Sequence, residues 1–107
     1  IINYLDLINE KLEGSPFKIA YRVRDEFLLF AYNYSLLENK PADWLNNSLD
    51  EMTLMKILPR IEGDEEKTKC LIELITLFET NNFAKSLKKA NEMETRRRQY
   101  HYTSFWS

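Results

Sequence analysis

Met55-Lys56-Ile57-Leu58-Pro59-Arg60-Ile61-Glu62-Gly63 brings a helix end, a basic pair and a glycine exit into nine residues. Pro59 lacks an N–H and disfavours helical geometry in the residue before it, so a helix that runs into it has to stop. Leu58-Pro59 therefore reads as a helix stop, with Ile57, Leu58 and Ile61 packing inward. Lys56 and Arg60 flank it and are also placed to touch nucleotide, a neighbouring subunit or nucleic acid.

Working outward, Leu45, Leu49, Met52 and Met55 are spaced for one buried face, which predicts a helix over 42–58. Downstream, Asp64 can cap a fourth helix, with Lys67 where a capping box would carry Glu or Gln. Its inner face would be Leu71, Leu74, Ile75 and Phe78. Thr80-Asn81-Asn82 breaks that helix and caps a fifth, which carries Phe83, Leu87, Ala90 and Met93 on one side. Tyr100 to Trp106 are aromatic and β-prone, an extended tail or strand.

Toward the N-terminus, Ile1, Leu5, Ile8 and Leu12 recur at helical spacing and Glu13-Gly14 follows as a stop. A second helix starts at Tyr21 or Arg22, with a stripe of Val23, Phe27, Phe30, Ala31, Tyr34 and Leu37. Glu38-Asn39-Lys40-Pro41 ends it. Ser15-Pro16 suits an N-cap and first helical residue, but Phe17-Lys18-Ile19-Ala20-Tyr21 alternates like a short strand, and we read it as extended. The expected fold is mainly α: one domain over 1–107, a compact bundle of about five helices, with room for a two-stranded patch of 17–21 against 100–105.

Hydrophobic residues make up 44% of the 107 and charged residues 30%, an ordinary globular mixture able to bury a core without disulfides or metal. No apolar run approaches the roughly 18 residues of a membrane span and there is no signal-peptide pattern, which predicts a cytoplasmic protein without membrane contact. Cys70 and His101 are the sole residues of their types, thirty-one positions apart, and lack the ligand pairing of a zinc site. A net charge of −2 argues against a dedicated nucleic-acid module. The chain begins at Ile1, without an initiator Met, which predicts a piece of a longer protein.

Arg22 and Arg24 are the sharpest candidates for chemistry. They sit at a turn into a helix, where main-chain N–H groups and the helix dipole favour an anion, and a guanidinium can fork onto two phosphate oxygens. The competing use is a surface ion-pair set of Arg22 with Asp25 and Glu26, stabilising by about 0.2–0.5 kcal/mol per pair. Lys85, Lys88, Lys89 and Arg96-Arg97-Arg98, followed by Tyr100, Tyr102, Phe105 and Trp106, could track single-stranded nucleic acid. A solvated helix face with an aromatic segment packed back on the bundle is the favoured reading of that stretch. The chain contains no Gly-x-x-x-x-Gly-Lys-Ser/Thr loop and no hydrophobic strand ending in paired acids, so it is not a complete NTPase, and it has no nucleophile elbow for a serine or cysteine nucleophile.

Three stretches together, Met55 to Gly63, Tyr21-Arg22-Val23-Arg24-Asp25-Glu26 and Thr103-Ser104-Phe105-Trp106, resemble the C-terminal lid of the McrB-type AAA+ NTPases, motor subunits of 5-methylcytosine-directed restriction systems. The resemblance runs from Ile8-Asn9 to Trp106. It implies a lid that closes over nucleotide at a subunit interface and supplies a sensor 2 arginine to the terminal phosphate, with Arg22 at that position and Arg24 as the fallback. Lys56, Leu58, Pro59, Arg60 and Gly63 would be family-motif residues of structural use.

The same resemblance implies no cofactor in this chain, and NTP with magnesium in the parent. It implies as partners a preceding NTPase core, neighbouring subunits of a ring and a nuclease subunit, with DNA contacted only indirectly. The alternatives are a stand-alone helical protein–protein interaction module and, more weakly, a helical nucleic-acid binder.

Overall fold

A computed structural model describes residues 2–19, 21–39 and 42–106, with the backbone alone described for Ile2, Asn3 and Tyr21. Five helices form: α1 (Ile2–Lys11), α2 (Tyr21–Ser35), α3 (Trp44–Met52), α4 (Leu71–Thr80) and α5 (Ala84–Tyr100). A two-residue strand β1 (Gly63–Asp64) pairs antiparallel with β2 (Tyr102–Thr103). The fold is thus a helical bundle with a small two-stranded sheet.

The core follows the helical periodicity. Leu5, Ile8 and Leu12 of the first stretch, Phe27 and Ala31 of α2, Leu71, Leu74 and Phe78 of α4, and Phe83, Ala90 and Met93 along α5 are all buried. Ile1, also assigned to the first stripe, lies outside the described residues. Tyr4 stands edge-on to Phe83 at 5.4 Å between ring centroids, which joins α1 to the start of α5.

Pro59 acts differently from a simple stop. The α-helical part of α3 ends at Met52, Thr53–Ile57 form a π-helical turn, and Leu58–Arg60 form a 3₁₀ turn that contains Pro59. A proline ring clashes with the carbonyl four residues back, here that of Met55, and a widened turn followed by a tightened one accommodates it. The 3.6-residue stripe is therefore lost. Past Met52, Met55 is 50% exposed, whereas consecutive Ile57 and Leu58 are both buried.

The predicted patch of 17–21 against 100–105 is half corrected. Tyr102–Thr103 are a strand, but their partner is Gly63–Asp64, and Tyr21 already belongs to α2. Phe17–Ile19 form no strand, and Ala20 lies outside the described residues. The ladder at β2 continues instead through the Glu65 N–H donating to the His101 carbonyl at 3.1 Å. Thr103 points inward and donates its hydroxyl to the Met93 carbonyl at 2.8 Å, leaving Tyr102 outside.

Three boundaries also shift. Asp64 Oδ1 accepts the Lys67 N–H at 2.9 Å as expected of a cap, but it closes a turn, and α4 begins only at Leu71. Asn82 adopts a left-handed φ of 57°, and the side-chain cap of α5 comes from Asp50 instead. Leu37, assigned to the inner stripe of α2, lies beyond the helix end at Ser35 and is exposed. Of the stop assigned to Glu38-Asn39-Lys40-Pro41, Lys40 and Pro41 lie outside the described residues, and the helix has already ended at Ser35.

Candidate functional site

The first turn of α2 separates the two candidate arginines. Arg24 Nη2 contacts Asp6 Oδ1 at 2.6 Å, tying α2 to α1. Arg22 is exposed and, among the described residues, makes no hydrogen bond or ion pair. The expected surface set does not form: Glu26 pairs with Lys56 Nζ at 3.2 Å. Arg22 thus stands open beside a helix N-terminus, the geometry that favours an anion.

The residues of the 55–63 stretch divide between surface contacts and the core. Lys56 is occupied by Glu26, and Arg60 Nη2 approaches the Lys18 carbonyl at 3.5 Å. Leu58 is fully buried, with Ile57 and Ile61 beside it in the core. Gly63 has φ 139°, and a Cβ there would lie 3.2 Å from Lys67 Cδ.

A second feature adjoins Arg22. Leu29 and Tyr32 on the outer face of α2, and Leu36 just past its end, are 62–63% exposed, and Leu28 is 40% exposed. Leu29 lies two helical turns beyond Arg22 on the same side of α2, with the exposed Asp25 between them, so the cation and an apolar stripe that faces solvent share one side of the helix. A sequence signal for it exists: 27–32 is an unbroken apolar run, too wide for a helix with a single buried face.

The basic stretch of α5 is mostly engaged within the fold. Arg96 Nη1 donates to the Ser104 carbonyl at 3.2 Å, Arg97 donates to the Glu65 carbonyl and to Glu94 Oε1, and Lys89 Nζ lies 4.5 Å above the Phe105 ring. Arg98 and Trp106 remain exposed. Two of these cations, Lys89 and Arg96, fasten the tail to α5, while Arg97 ties the helix to Glu65.

Cys70 lies beside a cavity of about 480 Å³ bounded by Lys11, Ser15, Lys67 and Glu73. Burial pushes its thiol up to about 11, which leaves it a protonated, weak nucleophile at neutral pH. The cavity lining includes neither Arg22 nor Arg24. Among the described residues no cluster of three or more His, Cys, Asp or Glu could hold a metal ion, and no helix is long and apolar enough to cross a membrane.

Fold and site define a small helical domain whose open arginine lies at one helix start and shares a side of that helix with an apolar stripe. Residues 1–102 match the family model described as Domain of unknown function (DUF8727), and the chain belongs to that family. Comparisons with curated proteins and with solved structures give no match.

Proposed function

We propose that this chain is the lid of an McrB-like AAA+ NTPase motor in a cytoplasmic, modification-dependent restriction system. It contributes a phosphate-sensing arginine and subunit contacts without hydrolysing NTP alone. The observation that carries this reading is the asymmetry at α2: Arg24 is tied to Asp6, while Arg22 has no bond among the described residues and shares a side of the helix with the apolar stripe. A contiguous exposed apolar patch on the order of several hundred Å² is a mark of an interaction surface. In this reading Leu28, Leu29, Tyr32 and Leu36 meet the NTPase core or a neighbouring subunit, and Arg22 reaches the terminal phosphate. The core supplies the P-loop and the magnesium site, so ATP or GTP binds chiefly there.

The test uses the chain joined to its NTPase core. Arg22→Ala is expected to lower turnover by about 10² or more, through loss of charge stabilisation on the transferred phosphoryl group. Inactivity of Arg24→Ala with wild-type turnover in Arg22→Ala would move the role to Arg24. Full activity in both overturns the reading.

The stripe on α2 also favours a second reading, a stand-alone helical interaction module. The parent open reading frame discriminates: a P-loop encoded upstream of Ile1 supports the motor, and a start codon just before it supports the module.

A further inference from the structure

Arg22 is bracketed by two attachments to α1. Three residues before it, the Ile19 main chain is held by Asn9: Oδ1 accepts the Ile19 N–H at 2.6 Å, and Nδ2 lies 3.5 Å from the Ile19 carbonyl oxygen. Two residues after it, Arg24 is held by Asp6. Asp6 and Asn9 are one helical turn apart on α1 and so share a face. From the other side, Arg60 approaches the carbonyl of Lys18. At 3.5 Å the Nδ2 and Arg60 contacts are long, so the 2.6 Å bond to the Ile19 N–H is the principal clamp.

This clamp also explains why an alternating segment forms no strand. One side-chain amide meets both main-chain polar groups of Ile19, as a neighbouring strand would. Ile19 is packed against the core at the same point. The main chain is therefore held at Ile19, three residues before the open arginine.

We propose that Asn9 is a positioning residue for Arg22, acting through the main chain of Ile19. The inference rests on the reading of Arg22 as a phosphate contact. A guanidinium on a long side chain contributes to a transition state only if its Cα is held in place, and a displacement of about 1 Å can lower a rate by about 10²-fold. Asn9 supplies that constraint from a different helix, without touching the phosphate.

The decisive experiment is a double-mutant cycle on turnover in the chain joined to its NTPase core, with amide exchange of this chain read in parallel. Asn9→Ala is expected to lower turnover about tenfold or more and to speed exchange at the Ile19 N–H. Asn9→Asp, which keeps the acceptor, is expected to restore most of both. Because Asn9 acts through Arg22, Asn9→Ala combined with Arg22→Ala should be no slower than Arg22→Ala alone.

Multiplicative losses in the double variant, or wild-type turnover or unchanged Ile19 exchange in Asn9→Ala, overturn the positioning role while leaving the lid reading intact. Wild-type turnover in Arg22→Ala overturns this inference, and full activity in Arg24→Ala as well overturns the lid reading with it. If Asn9→Ala does not fold, Asn9→Gln, which displaces the amide by one methylene, has to show the same non-additivity.

Discussion

The Asp50 carboxylate of α3 caps α5: Oδ1 accepts the Ser86 N–H at 2.8 Å and Oδ2 the Lys85 N–H at 3.0 Å. Ser86 answers by donating its hydroxyl to the Asp50 carbonyl at 3.0 Å, and Lys85 Nζ pairs with Glu51 at 3.0 Å. A carboxylate at a helix N-terminus satisfies orphan donors and complements the dipole. Here it comes from a residue more than thirty positions away and joins two helices. Asp50→Ala is expected to destabilise the fold by about 2–3 kcal/mol, and Asp50→Asn, which keeps one acceptor, by about 1 kcal/mol. Urea denaturation checks both, and a loss below about 0.5 kcal/mol in Asp50→Ala would mean the cap is dispensable.

The two glycines should respond unequally to alanine. Gly63 combines φ 139° with a tight approach to Lys67, whereas Gly14, at φ 84°, has open space where a Cβ would stand. Gly63→Ala is expected to destabilise by about 1–3 kcal/mol and Gly14→Ala by about 1 kcal/mol. Equal thermal shifts in the two variants would contradict this ordering.

Cys70 should give the alkaline stability profile a recognisable segment. Burial raises its pKa from 9.0 to about 11, so the native state holds the thiol proton after the unfolded chain has lost it. Stability from this source is complete below pH 9 and is lost as pH rises from 9 to about 11. The decline over that interval should be shallower in Cys70→Ala. Thiol-reagent modification at pH 8 should be slow in the native protein and fast in urea, and rapid native modification would place the thiol in solvent.

The apolar stripe of α2 should be dispensable for folding. Leu29→Lys and Tyr32→Lys alter side chains that face solvent, so each is expected to change stability by no more than about 0.5 kcal/mol. Both should reduce binding of an apolar dye by this chain. A loss of several kcal/mol in either variant would show that the stripe is packed inside the fold.

Helix number and most of the core were legible in the sequence because burial of a helix face imposes its own period. Leu5, Ile8, Leu71, Leu74, Phe78, Ala90 and Met93 were marked by spacing alone and are all buried. The exit at Gly14 was legible too, because glycine takes a positive φ with little strain. The arginines at the start of α2 stood out by charge and by their place at a helix start.

What tertiary structure decided are the pairings between distant segments. Nothing local distinguishes Asp50 from the acidic residue beside it, yet Asp50 is buried because α5 starts against it. Asn9 looks like one more polar residue on an amphipathic helix until the fold brings Ile19 to it. The alternation of 17–21 announced extended backbone but could not say whether a strand or a side-chain amide would satisfy it. Pro59 announced a break but not its form, because the π and 3₁₀ turns depend on Ile57, Leu58 and Ile61 all reaching the core. Charge and place at a helix start did not separate Arg22 from Arg24, and only the resemblance ranked Arg22 first. Asp6, on another helix, is what ties down one of them.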